Sequence, residues 1–155
     1  MKNILITGIN GQDGIFLTSE ILKNNPNHNI YGITRQKNKE IFFRKLDTIS
    51  NANHEKIKLL NIDLNNLHET NKLIDDIRPD FIYNLSGPSS VYDSFINPGE
   101  TKSQINNIFK NLTTPLIKLG LFSNFYQASS SEMFGLHTEK KLSEESTFNP
   151  NSPYA

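Results

Sequence analysis

The chain has 155 residues, sixteen basic side chains against sixteen acidic ones, and no cysteine. That length supports one domain with a buried core, and the balanced charge leaves no global field to draw it to nucleic acid or an anionic membrane, so any phosphate recognition has to be local. Without cysteine there are no disulfides, thiolate metal sites or cysteine nucleophiles, and with no apolar span and no signal leader the chain is expected to be cytoplasmic.

The first element is an aliphatic run, Ile4-Leu5-Ile6, read as a buried strand over 3–7. It stops at Thr7-Gly8-Ile9-Asn10-Gly11-Gln12-Asp13-Gly14, where glycines recur at three-residue spacing. A strand that turns this sharply into a helix leaves that helix's first amides free to attract a diphosphate. Gly8 is assigned the tight turn, Gly11 the close approach of backbone to phosphate, and Gly14 the close packing of the first helix on the sheet. The alternative is an ordinary glycine-rich connection.

The helix after the turn is expected over 12–23, closed by Asn24-Asn25-Pro26. Strands are expected over 29–34, 57–62, 81–85 and 122–128. Helices are expected over 39–50, without a clean apolar face, over 67–77, ahead of Pro79, and over 100–119, with a kink at Pro115. Strands alternating with helices predict an α/β fold built on one doubly wound, Rossmann-like parallel sheet, in a single domain over 1–155.

Cofactor contacts are sought where those strands end. The second ends in Thr34-Arg35 with no carboxylate at its tip, which favours a 2′-phosphate and hence NADP, with NAD possible. The other reading of Arg35 is a solvated strand end. Asp63 and Leu64 after the third strand suit an adenine amino group and its ring face, although Asp63 also suits a helix cap. Leu85, Ser86, Gly87 and Ser89 after the fourth strand leave room for a flat ligand, or else form a simple turn.

The last strand delivers Ser129-Ser130-Ser131-Glu132 to the same sheet edge, and Ser152-Pro153-Tyr154 follows. A hydroxyl cluster beside a carboxylate points to a reaction centre. A capped turn is the bland alternative.

Taken in order, the glycine turn, Gly32-Ile33-Thr34-Arg35, Asp63-Leu64, Tyr83-Asn84-Leu85, Phe125-Tyr126-Gln127-Ala128-Ser129-Ser130-Ser131-Glu132-Met133-Phe134-Gly135 and Ser152-Pro153-Tyr154-Ala155 make the chain resemble the GDP-mannose 4,6-dehydratases of the extended short-chain dehydrogenase family. The resemblance implies a lyase that converts GDP-mannose to GDP-4-dehydro-6-deoxymannose by internal hydride transfer through NADP, with a nucleotide-sugar substrate and a homo-oligomeric full-length form. It implies cofactor contacts at Gly8, Asn10, Gly11, Gln12, Asp13, Gly14, Arg35, Asp63, Leu64, Leu85, Ser86, Gly87 and Ser89. It also implies catalytic roles for Tyr154 on the C4 hydroxyl proton, Ser130 on that oxygen and Glu132 on the C5 proton and the leaving C6 hydroxyl.

Departures from the pattern matter too. Relatives carry a lysine four residues after the tyrosine, which lowers the phenol pKa from about 10, whereas this chain stops one residue after Tyr154. The sequence therefore reads as an amino-terminal portion, truncated before the substrate-binding part, or as a curtailed gene product, and is expected to be inactive alone. Gln36-Lys37-Asn38-Lys39 stands where relatives have a second arginine and a serine-rich loop, and Pro88-Ser89-Ser90 replaces a Gln-Ser-His run. Rival readings are another nucleotide-sugar epimerase or dehydratase and a non-catalytic dinucleotide-binding module. His28, His54, His68 and His137 lack ligand spacing and receive no metal role.

Overall fold

The computed structural model describes residues 1–51, 53–136 and 141–155. Five parallel strands, β1 (Asn3–Thr7), β2 (Asn29–Ile33), β3 (Ile57–Leu60), β4 (Phe81–Asn84) and β5 (Asn124–Gln127), form one sheet in the order β3-β2-β1-β4-β5. The chain winds outward from β1 in one direction and then returns to build the other half. The strand order therefore reverses between β1 and β4, the place where open α/β sheets hold ligands.

Alternation along the strands divides the core between two faces. Ile4, Ile6, Ile30, Ile57 and Leu59 pack with Ile15 and Leu22 of α1 (Gln12–Asn24) and with Phe42 and Leu46 of α2 (Glu40–Asp47). On the opposite face, Leu5, Ile33 and Ile82 meet Leu73, Ile74 and Ile77 of α3 (Leu67–Ile77) and Ile108, Leu112 and Leu116 of α5 (Pro98–Lys118). Contrary to the expectation of a mixed helix over 39–50, α2 has a clean inner edge, because Phe42 and Leu46 lie one turn apart and are both fully buried.

Each strand after the first closes earlier than its apolar run predicts. Thr34 N still bonds Leu60 O at 3.0 Å and Ala128 N bonds Asn84 O at 3.1 Å, one residue past the strand ends. A short helix, α4 (Val91–Ile96), was not foreseen; Ser90 caps it by accepting from Asp93 N at 3.1 Å. α5 begins two residues before the expected start because Pro98 occupies its first turn, where a missing N–H is harmless. It continues through Pro115 and ends three residues later. Among the described residues no helix is long and apolar enough to cross a membrane.

Candidate active site

The turn after β1 is built from steric exclusions. Gly8 has φ +66°, and a Cβ there would lie 2.8 Å from Leu85 O and 3.1 Å from Ser86 N, so the loop after β4 can approach only because the side chain is missing. Gly11 N donates to Gly8 O at 2.9 Å, and Gly11 then stands at the head of α1 with no side chain capping the first turn. Those amides are left for an outside acceptor.

Gly14 differs from its expected role. A Cβ at this position would meet Ile9 O at 2.5 Å, so the third glycine admits the backbone of the turn itself rather than the sheet. Ile9 is fully buried, and its Cδ1 lies where a Cβ on Gly32 would come within 2.3 Å. One isoleucine thus requires two glycines, one in α1 and one in β2, and so locks the turn between helix and sheet.

A cleft of about 370 Å³ opens at the carboxyl edge of the sheet. Gly8, Asn10 and Gly11 line it from the turn, Arg35 and Gln36 from the end of β2, Asp63 and Leu64 from the end of β3, and Leu85, Ser86 and Gly87 from the end of β4. Gln104 and Ile108 of α5 form a further wall. The structure therefore gathers nine of the thirteen expected cofactor positions at one concavity. Gln12, Asp13, Gly14 and Ser89 are not among its walls: the first three open α1, and Ser89 belongs to the turn that leads into α4.

The polar groups of the cleft are held unevenly. Arg35 is exposed and makes no ion pair among the described residues. Asp63 accepts from Asn65 N at 3.0 Å, while the cap of α3 is Asn66, whose side chain accepts from His68 N and Glu69 N. The capping alternative for Asp63 is thus filled by a different residue, three positions on, because an N-cap has to adjoin the first turn it serves. Leu64 is buried, and its carbonyl accepts from Asn111 Nδ2 at 2.8 Å, which ties the β3 loop to α5.

Beyond β5, Glu132 lies in a single 3-10 turn (Ser131–Phe134) capped by Ser130, whose Oγ accepts from Glu132 N at 3.2 Å. The capped-turn reading of the serines is therefore realised, and Glu132 is exposed rather than enclosed. The segment leading to Tyr154 is fastened to this turn. Asn149 N donates to Met133 O at 3.0 Å, the Phe134 and Phe148 rings are 5.4 Å apart, and a Cβ on Gly135 would fall 1.9 Å from Asn149 O. Tyr154 is partly buried just beyond, where Ala155 N donates to Ser152 Oγ at 3.0 Å. Ser130, Glu132 and Tyr154 do not line the cleft.

With this geometry in view, the relatives are informative. A family model described as GDP-mannose 4,6 dehydratase matches residues 5–155. The chain belongs to the GDP-mannose 4,6-dehydratase family. It is 35% identical over 162 residues to GDP-mannose 4,6 dehydratase 2 of Arabidopsis thaliana, an alignment that takes in 99% of this chain and 42% of that protein. It is 34% identical to the GDP-mannose 4,6-dehydratase of Vibrio cholerae serotype O1, with 99% and 42% covered. The chain thus spans about two fifths of the length of these curated relatives. The fold also matches the UDP-Glc/GlcNAc 4-epimerase of Campylobacter jejuni, with a TM-score of 0.84 at 22% identity over 99% of this chain and 45% of that one. For the UDP-glucose 4-epimerase of Bifidobacterium longum, solved with NAD+ and UDP, the TM-score is 0.82 at 18% identity over 98% and 44%.

This GDP-mannose 4,6-dehydratase family member also carries a polar row, buried at Thr7 and Asn84 and partly buried at Gln127, that the sequence reading missed. Thr7, Asn84 and Gln127 stand in register across β1, β4 and β5. Thr7 Oγ1 donates to Asn84 Oδ1 at 2.6 Å, and Asn84 Nδ2 donates to Gln127 Oε1 at 2.8 Å. Thr7 Oγ1 also accepts from Leu85 N at 3.1 Å and Ser86 N at 3.2 Å, and so positions the loop that forms one wall of the cleft. The available signal was a polar residue closing each of three apolar strands. Of the histidines, His54 bonds Asp47 Oδ1 at 2.7 Å and lies 4.6 Å from the Phe43 ring, while His137 lies outside the described residues.

Proposed function

We propose that this chain is the dinucleotide-binding domain of a nucleotide-sugar 4,6-dehydratase, a lyase acting on GDP-mannose with NADP as cofactor. The observation that carries the reading is the cleft at the β1/β4 switch point, where Gly8, with no room for a side chain, Gly11 and an uncapped helix start converge. Its residues fit the cofactor. Gly8 and Gly11 keep the wall beside the amides low enough for a diphosphate, Arg35 would supply a free guanidinium for a phosphate on the adenosine ribose, and Leu64 and Asp63 would hold the adenine. Leu85, Ser86 and Gly87, which line the cleft, would hold its nicotinamide end.

The bound cofactor would supply a hydride acceptor at C4 of the sugar and return the same hydride at C6. The chain's own groups would handle protons. Tyr154 takes the C4 hydroxyl proton, Ser130 holds that oxygen, and Glu132 removes the C5 proton made acidic by the new ketone and passes it to the departing C6 hydroxyl, which leaves as water; C5 regains a proton as hydride returns to C6, balanced by the proton taken from the C4 hydroxyl. These roles rest on the family resemblance and on the parallel arrangement that brings the end of β5 to the same sheet edge as the end of β4. They require the turn bearing Ser130 and Glu132 to face a nicotinamide lodged beside Ser86.

The test is titration of the 155-residue chain with NADP while amide chemical shifts are followed, together with an assay of GDP-mannose turnover. Shifts concentrated at Gly8, Gly11, Arg35 and the Leu85–Gly87 loop are the expected result, with no turnover by the 155-residue chain, which spans about two fifths of the length of its relatives. Perturbations elsewhere, or no binding of either dinucleotide at millimolar concentration, would remove the reading.

A further inference from the structure

The polar side chains of the glycine turn go separate ways. Asn10 lines the cleft and donates from Nδ2 to Gln36 Oε1. Gln12, expected at the cofactor, instead lines a second hollow of about 300 Å³ that shares no wall residue with the cleft. Its other walls are Ile15 and Phe16 of α1, Lys45 of α2, and Thr48 and Ile49 from the turn that closes α2. That volume stands at the small end of ligand pockets, and the lining has their character, apolar surface with a few polar groups.

The apolar walls are left open. Phe16 is 55% exposed and Ile49 40%, although the helices that carry them pack against each other and Ile15 is buried. Large apolar side chains exposed around one concavity form a surface that a ring can cover.

The polar groups are equally unspent. Lys45 is the only charged side chain on these walls and makes no ion pair among the described residues. Asp13 and Asp47, the acids nearest these residues in sequence, are not on the walls, and Asp47 is engaged by His54 at 2.7 Å. Thr48 Oγ1 donates to Lys45 O at 2.6 Å, which leaves the hydroxyl oxygen as an acceptor. The Gln12 amide has no partner among the described residues, and whichever way it is turned it offers one NH2 and one carbonyl oxygen. One ammonium beside an apolar wall suits one negative charge on a flat apolar body. A phosphate monoester would bring nearly two charges to a single cation, and a neutral ring would leave Lys45 unused.

We propose that the hollow between α1 and α2 is a second ligand site, which takes a small aromatic monocarboxylate with its ring against Phe16 and Ile49 and its carboxylate at Lys45 and Gln12. This site goes beyond the dinucleotide reading of the cleft, and neither depends on the other.

Titration of the 155-residue chain with 1-naphthoate, followed by amide chemical shifts, tests it, with 1-naphthamide as the uncharged comparison. The expected Kd is about 1 mM, ordinary for a ligand of about thirteen heavy atoms, with shifts centred on residues 12–16 and 45–49. An exposed ion pair is weak, so naphthamide should bind about threefold less tightly than naphthoate. Lys45→Gln, at an exposed position that leaves the core untouched, should weaken naphthoate by about the same factor and leave naphthamide unchanged. Ile49→Asn should weaken both about tenfold by making an apolar wall polar. Shifts centred on another surface, displacement of naphthoate by NADP, equal affinity for acid and amide in the parent, or no binding at about 10 mM overturns the proposal.

Discussion

Replacing Thr7 by valine isolates the hydroxyl that joins β1 to the loop after β4. The two side chains have nearly the same shape, so no cavity opens, but the oxygen that accepts from Leu85 N and Ser86 N is lost. Asn84 Oδ1 keeps its bond from Ser86 Oγ at 3.0 Å, so the penalty falls on the two amides. An amide stranded away from water costs about 1–3 kcal/mol. Both are only part-buried, so we expect a combined loss of about 3 kcal/mol, equivalent to roughly 6–12 °C in Tm for a chain of this size. Thr7→Ser retains the hydroxyl and removes one methyl, which should cost about 1 kcal/mol. Urea unfolding and thermal melts of the two variants beside the parent provide the measurement. A valine variant within about 0.5 kcal/mol of the parent, or a serine variant as damaged as valine, would refute the claim that this hydroxyl organises the cleft wall.

Gly14→Ala should destabilise the chain by about 3 kcal/mol or prevent folding, because the added Cβ meets the Ile9 backbone at 2.5 Å, whereas Gly99→Ala, with open space around it in α5, should be neutral or stabilising by about 0.5 kcal/mol; chemical denaturation separates them. Arg35→Ala should weaken NADP binding about tenfold and NAD binding much less, read by calorimetry; equal losses would show that the guanidinium is a solvated strand end. Asp80 is held below its ordinary carboxylate range first by the hydrogen bond from Lys2 and then by that from Asn3 N, each 2.8 Å long. A depressed pKa contributes stability above the unfolded value, near 4, and loses it as pH falls through the folded value. Asp80→Asn should therefore flatten the fall in stability below about pH 4 by less than about 1 kcal/mol, since both partners are substantially exposed; acid titration curves that stay parallel would contradict the assignment.

Local pattern alone specified the strand-turn-helix start, the five strands and their parallel winding, and the gathering of Gly8, Arg35, Asp63 and Leu85 at one edge, because period, turn chemistry and chain direction are short-range properties. The inner edge of α2 was not legible, since Phe42 and Leu46 become a face only when β2 and β3 lie beneath them. Nor was α4, whose six residues are too few to show a period. Gly14 illustrates the limit: its spacing announced a close approach, but only packing revealed that the neighbour is the Ile9 backbone. The Thr7–Asn84–Gln127 row and the Asn10–Gln36 pair join residues separated by 26 to 77 positions, and hydrogen bonds of that reach exist only after the sheet has brought its strand ends side by side. Sequence determined which residues arrive at the carboxyl edge; the tertiary fold decided which of their donors and acceptors find one another and which stay open to a ligand, because a polar group's need for a partner is settled by its surroundings and not by its neighbours along the chain.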